Sequence, residues 1–204
     1  MNKKELTGKD LLLCFLYSPG QTNDINEPIV GRTKLTKMMY LFEKEIYPKF
    51  FNDTLSITLP QFEPYYFGPF SKELFEDLSF FKAIGLIETS ETNIPLSPAH
   101  RMESEKADDV DLDDEWSEAS FDSEENEEEF ESQYYLTING QKYVTDKVWD
   151  SFSLPQKEKL KQFKAQINRI SLDSLLRYVY TKYPDDAVNS VIADKYLKKA
   201  DEWC

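Results

Sequence analysis

A mainly α (α+β) fold is predicted for this chain from the order of its patterned stretches. Three apolar stripes at helical spacing come first. Two short β-rich stretches follow, one on each side of a long acidic run, and further helical stripes close the chain. Three helices followed by a β-hairpin is the winged-helix order, a helix-turn-helix variant whose hairpin is the wing. The expected architecture is a winged-helix-like helical domain with a small hairpin wing and additional C-terminal helices. One domain is expected over 1–98 and 133–204, and 99–132 is read as an acidic, disordered insert between the wing strands.

The first helix is expected over 7–18, capped by Thr7, with Leu11, Leu12, Phe15 and Leu16 on its apolar face. "SPGQTNDINEPIVG" (18–31) reads as a polar loop. The second helix runs from Thr33 to Tyr47, where Leu35, Met38, Met39, Phe42 and Ile46 share one face. Lys34, Lys37, Lys44 and Glu45 point elsewhere, and Pro48 ends it. In "LSITLPQFEPYYF" (55–67), Pro60 and Pro64 limit the chain to a short edge strand and an extended approach to "GPF". Ser71 or Pro69 opens the third helix, which buries Phe70, Leu74, Phe75, Leu78 and Phe81 and stops at Gly85. "GLIET" (85–89) starts a strand. "YYLTINGQKYV" (134–144) reads as a strand, an Asn-Gly turn at 139–140, and the start of another helix or strand. Pro155 opens a fourth helix striped by Leu160, Phe163, Ile167 and Ile170. Ser171 caps a fifth, carrying Leu172, Leu175, Leu176, Val179, Tyr180 and Tyr183, which Pro184 stops. A shorter helix is expected from Asp186 to Lys198.

The charge is concentrated in one place. Of the net −14, residues 103–131 hold −15, from 16 Asp+Glu and one Lys. The remainder carries 23 Lys+Arg against 22 Asp+Glu. The acidity therefore describes a segment and not the fold. Cys14 lies in the apolar run "DLLLCFLY" and Cys204 is the last residue, so reduced thiols are expected and a disulfide framework is not. "MNKKELTGKD" lacks the apolar stretch of a signal peptide, and no apolar run has membrane-spanning length. A soluble, cytoplasmic protein is the expectation.

No catalytic constellation stands out. The single histidine, His100, lies in "LSPAHRME" and would have to carry any Ser-His or Cys-His chemistry alone. One histidine and two distant cysteines do not make a zinc site. The six glycines form no phosphate loop. "DDVDLDDE" (108–115) lacks the glycine and spacing of a calcium loop. The expectation is a non-enzymatic chain with no cofactor and no metal.

Duplex DNA needs cations at the phosphates, and a recognition helix needs a basic or amide-bearing face. Residues 71–82 carry Lys72 and Lys82 against Glu73, Glu76 and Asp77, and the wing carries the acidic run. The best basic set is Arg32, Lys34, Lys37 and Lys44 on the second helix, whose plain alternative is a solvated face. Direct DNA binding by the intact chain is not expected. "YYFGPFS" is either an aromatic recognition surface or a structural bend, with Gly68 turning, Pro69 stiffening, and Tyr66, Phe67 and Phe70 filling core. The acidic run has three readings: a solvated loop, a linear motif that orders on binding, or a nucleic-acid mimic or self-mask that occupies a basic groove on a partner or on the chain's own second helix. Val110, Leu112, Trp116, Phe121 and Phe130 interrupt the acids, which keeps the second open. Trp116, Phe121 and Phe130, with Asp113, Asp114 and Glu115, are the candidate partner-binding residues.

Three stretches, "GRTKLTKMMYLFEKE" (31–45), "FEPYYFGPFSKELFEDLSFFKAIGLIE" (62–88) and "SLDSLLRYVYTKYPDDAVNSVI" (171–192), resemble the YwgA-like bacterial proteins. Those are related to the Panacea (SocA-type antitoxin) domains. The resemblance covers most of the chain outside 99–131, and the acidic insert departs from it. It implies a helical, winged-helix-like domain serving as an antitoxin, a regulatory adaptor or an accessory subunit near anti-phage defence systems. The partner would be a protein with a basic surface, and no membrane is involved. The alternative is a winged-helix transcription regulator whose acidic wing is autoinhibitory.

Overall fold

The computed structural model describes residues 4–95 and 130–197. About 57% of these are helical and 20% lie in strands, which makes the chain a mixed α+β protein dominated by helices.

Strand β1 (Lys4–Thr7) runs directly into α1 (Gly8–Tyr17). Thr7 caps the helix in a reciprocal box with Asp10. Its run Leu11 to Leu16 is wholly buried, so α1 is the central element, apolar on every side. Phe15 meets Phe42 edge-on at 5.3 Å and Phe163 at 5.8 Å, joining three helices in one core.

After the short β2 (Ile29–Val30), α2 (Arg32–Leu41) does not end at Pro48. It passes through a π-helical turn (Phe42–Ile46) into α3 (Tyr47–Phe50). Proline has no amide proton for the preceding turn. Widening the register, so that the Tyr47 amide bonds back to Phe42, lets the axis continue across it. A second departure concerns Lys37. It does not point away from the core but is buried on α2.

β3 (Leu55–Thr58) stops short of Pro60 and pairs in parallel with β1. This pairing is absent from the sequence reading because the β1 tetrapeptide has no alternation long enough to notice. The outer side of β3 is braced by Tyr47, whose hydroxyl accepts from the Ile57 amide at 3.3 Å and donates to the Leu55 carbonyl at 3.4 Å. β4 (Glu63–Tyr65) and β5 (Gly68–Phe70) form a tight antiparallel hairpin with Pro64 opposite Pro69.

Ser71 caps α4 (Lys72–Ala83), and Gly85, at φ +70°, follows its end. Leu74, Leu78 and Phe81 are buried as expected, whereas Phe70 and Phe75 are only half-buried. β6 (Ile87–Pro95) and β7 (Phe130–Leu136) pair antiparallel from Ile87–Leu136 to Pro95–Phe130. β2 pairs on the far side of β7, giving the strand order β2-β7-β6. Residues 96–129 are thus the connection between two paired strands.

The Asn139-Gly140 turn expected from sequence is instead the first turn of α5 (Ile138–Tyr143), capped by Thr137, whose hydroxyl accepts from the Gly140 amide. The glycine answers a different need: any Cβ there would overlap the carbonyl of Leu86. α5 continues through π and 3-10 turns to Ser151. α6 (Leu154–Arg169) starts from a capping box between Ser153 and Gln156, and Ser171 caps α7 (Leu172–Lys182). In place of one last helix from Asp186, a 3-10 turn (Pro184–Ala187) is followed by the short α8 (Ala193–Leu197).

Candidate functional site

The three stretches singled out in the sequence, 31–45, 62–88 and 171–192, are far apart along the chain and meet in one place. Lys37 of α2 is 2% exposed, and its ammonium donates to the carbonyl of Pro69 in β5 at 2.8 Å. Gly68, at φ +78°, lies so close to α7 that a Cβ would stand 2.5 Å from the Tyr180 ring. Tyr40, one turn beyond Lys37, packs edge-on against Phe62 and Tyr183, each at 5.4 Å, and donates its hydroxyl to Asp186. The segment after α7 clasps the β4–β5 hairpin, with the Val191 amide donating to the Tyr66 carbonyl at 3.0 Å and Asn189 donating to Pro64 at 3.1 Å.

Around this junction lies a polar network at the π turn. Lys44 pairs with Asp186 at 3.7 Å. Glu45 accepts from Tyr178 at 2.8 Å and Tyr183 at 3.0 Å, and pairs with Lys182 at 3.0 Å. Burial works to raise the Glu45 carboxyl, but these donors hold it below its ordinary range. Its neighbours move the other way. Burial and the carboxylate acceptor push Tyr183 up to about 12 and Tyr40 well above the ordinary phenol value. Burial also raises Glu43, against the pull of Lys44. Glu43, Glu45 and Asp186 each have a cation close by, and one buried oxygen of Glu43 accepts no hydrogen bond, so the cluster reads as a tie between α2, α7 and the 3-10 turn. Among the described residues no group of three or more His, Cys, Asp or Glu is placed to hold a metal.

The outer rim of the junction is aromatic. Tyr66, Tyr65, Phe70 and Phe75 form a chain with ring centres 4.7, 4.8 and 4.8 Å apart, and the Arg32 guanidinium lies over Phe75 at 4.8 Å. The structural reading of "YYFGPFS" holds for part of the turn. Phe67 is core, whereas Tyr66 is exposed and Phe70 half-buried on the rim.

The four basic candidates do not form a shared solvated face. Lys37 is buried on Pro69, Lys34 donates to the Ile170 carbonyl at 2.8 Å, Lys44 sits over Tyr40 beside Asp186, and Arg32 stacks on Phe75. On α4, Lys72 pairs with Glu76 at 3.8 Å. Asp77, buried and raised chiefly by that burial, pairs with Lys9 at 3.1 Å. Phe130 opens β7, half-buried opposite Pro95. His100, Asp113, Asp114, Glu115, Trp116, Phe121 and Cys204 lie outside the described residues.

Sequence reasoning did not single out Tyr40, Asp186 or Lys164. No helix among the described residues is long and apolar enough to cross a membrane. No family model, curated protein or solved structure matches the chain.

Proposed function

We propose that the chain is a non-enzymatic, cytoplasmic protein-interaction module of the YwgA/Panacea type, an antitoxin-like regulator or an accessory subunit of a defence system. A winged-helix arrangement is part of this reading, and the strand pairing supports it. β2 lies between α1 and α2 and pairs with the hairpin that follows α4, and β3–β5 are added between the second and third helices of the motif. Fold alone does not decide function. The observation that carries the reading is the engagement of the basic residues. Arg32, Lys34, Lys37 and Lys44 all serve contacts within the chain, and α4 offers acids where a recognition helix offers cations. A phosphate backbone would find little to neutralise it.

The partner in this reading is a basic protein surface, steered by the field of the acidic run and anchored by Trp116, Phe121 and Phe130. Asp113, Asp114 and Glu115 supply charge beside the tryptophan. The test is co-purification from the native host with the full chain and with a chain lacking residues 103–131. Loss of a partner on deletion supports the module. Gain of sub-micromolar duplex-DNA affinity on deletion supports a transcription regulator with an autoinhibitory wing. Arginine at Asp113, Asp114 and Glu115 should slow association and flatten its salt dependence, and indifference to charge and salt would rule out steering.

A further inference from the structure

One lysine of α6 occupies a place where a bound cation would sit. Lys164 is 0% exposed, and its Nζ donates to the carbonyls of Leu16 at 3.0 Å, Ser18 at 2.7 Å and Glu27 at 2.6 Å. Three acceptors match the three protons of an ammonium, and a neutral amine has only two to give. The carbonyls come from both ends of the loop between α1 and β2. The middle of the loop is gathered by the Glu27 carboxylate, which accepts from the amides of Gln21 at 2.9 Å and Thr22 at 2.6 Å and from the Thr22 hydroxyl at 2.8 Å. Asn168, one turn along α6 from Lys164, donates to that carboxylate at 2.6 Å and to the Pro28 carbonyl at 3.2 Å.

The same stretch is tied on its other side to β7. Asn26, at φ 60°, accepts from the Leu136 amide at 2.7 Å and donates to the Leu136 carbonyl at 2.9 Å. Ile29 and Val30 pair with Tyr134 and Gln133, and the Gly31 amide donates to Ser132 at 2.8 Å. Residues 16–31 therefore form a strap with α6 on one face and the hairpin on the other.

We infer that Lys164 is an electrostatic latch, whose charge holds this strap and through it the β6–β7 hairpin against α6. The bulk of the side chain is secondary, because an apolar replacement leaves three carbonyls buried without donors and removes the cation that faces Glu27. The hairpin's two strands are joined by residues 96–129, so the latch fixes where that segment leaves the body of the protein. The inference stands whether or not the partner proposed above exists.

Hydrogen exchange on the full chain tests it. In Lys164→Ala, amides of 18–30 and 132–136 should exchange at least about tenfold faster, as loss of charge-assisted hydrogen bonds implies. Propylammonium, which replaces the missing atoms and the charge, should restore protection, and 1-propanol at the same concentration should not. Asn26→Gly, which keeps the left-handed backbone, should accelerate 132–136 while leaving 18–22 protected. Wild-type exchange at 132–136 in Lys164→Ala, or rescue by propanol as good as by propylammonium, overturns the latch. Should Lys164→Ala not fold without ligand, recovery of folding by propylammonium alone supports it, and recovery by neither or by both overturns it.

Discussion

Lys164 and Lys182 each stand near a glutamate, and they show two ways of spending charge in one fold. Lys164 is enclosed, and its partners are backbone carbonyls that cannot move away. Burial pushes its pKa down to about 7 against the upward pull of Glu27, and three carbonyl acceptors favour the form with three protons to give. Lys182 is on the surface, bonded to the Tyr178 hydroxyl and Glu45, side chains that water replaces at little cost. The contacts are of similar length, so distance does not rank them. What differs is the state left behind when the lysine is removed: stranded carbonyls in one case, rehydrated side chains in the other.

The sharpest way to break this contrast is Lys164→Met. It keeps the length of the side chain and removes the donors, and should cost roughly 3–5 kcal/mol in urea unfolding, the range for removing one partner of a buried charge pair. A loss under about 1 kcal/mol would mean that the strap relaxes to water and the enclosure carries no weight. Glu27→Gln sharpens the comparison from the other end of the same cage. Burial works to raise the Glu27 carboxyl, but hydrogen bonds from Thr22, Asn168 and Gln21 bring it from an ordinary 4.5 down to about 2. A carboxyl lowered on folding contributes stability that is complete above its unfolded value and is lost as pH falls through its folded value. Wild type should therefore exceed Glu27→Gln by about 2–3 kcal/mol near neutrality, and the gap should close between pH 4.5 and 2. Parallel stability curves over that range would separate the carboxylate from the cage.

Of comparable size is the effect at a backbone position at the junction of the three motif stretches. Gly68→Val places a branched side chain at φ +78° and against Tyr180, and should cost about 2–4 kcal/mol with melting lowered throughout. Unchanged melting with lost partner binding would favour the recognition-surface reading of the turn.

These positions show what the sequence made readable. Caps and stripes were legible wherever a local rule governed: Thr7, Ser71 and Ser171 start their helices, and the buried faces of α4, α6 and α7 carry most of the residues that the spacing placed there, with Phe70, Phe75, Ile170 and Tyr183 only half-buried. The misreadings arose where a distant contact decided. Pro48 ends a helix locally, yet a π turn carries the axis across it. Asn139-Gly140 favours a turn, yet the approach of the Leu86 carbonyl makes the glycine part of a helix. Lys37 looked like part of a solvated face and Lys164 drew no notice, because no local pattern shows that a lysine will find carbonyls 32 and 148 residues away. The candidate site was half legible: its three stretches stood out in the sequence, but their convergence on Tyr40 and Asp186 required the fold.

The network at the π turn gives the smallest expected effects. Tyr40→Phe keeps the ring packing against Phe62 and Tyr183 and deletes only the bond to Asp186. Asp186 is partly exposed and retains Lys44, so the loss should be about 1 kcal/mol, the net worth of one hydrogen bond. Lys182→Met should be smaller still. Glu45 keeps both tyrosine donors and its remaining lone pairs turn to water, so the melting temperature should stay within experimental scatter. Raising salt should also leave the pair Lys164→Met and wild type equally far apart, while erasing any residual difference at Lys182, because screening acts on solvated charges and not on enclosed ones. If Lys182→Met costs as much as Lys164→Met, the network at the π turn is a closed cage like the one around Lys164, and exposure is a poor guide to how either lysine is used.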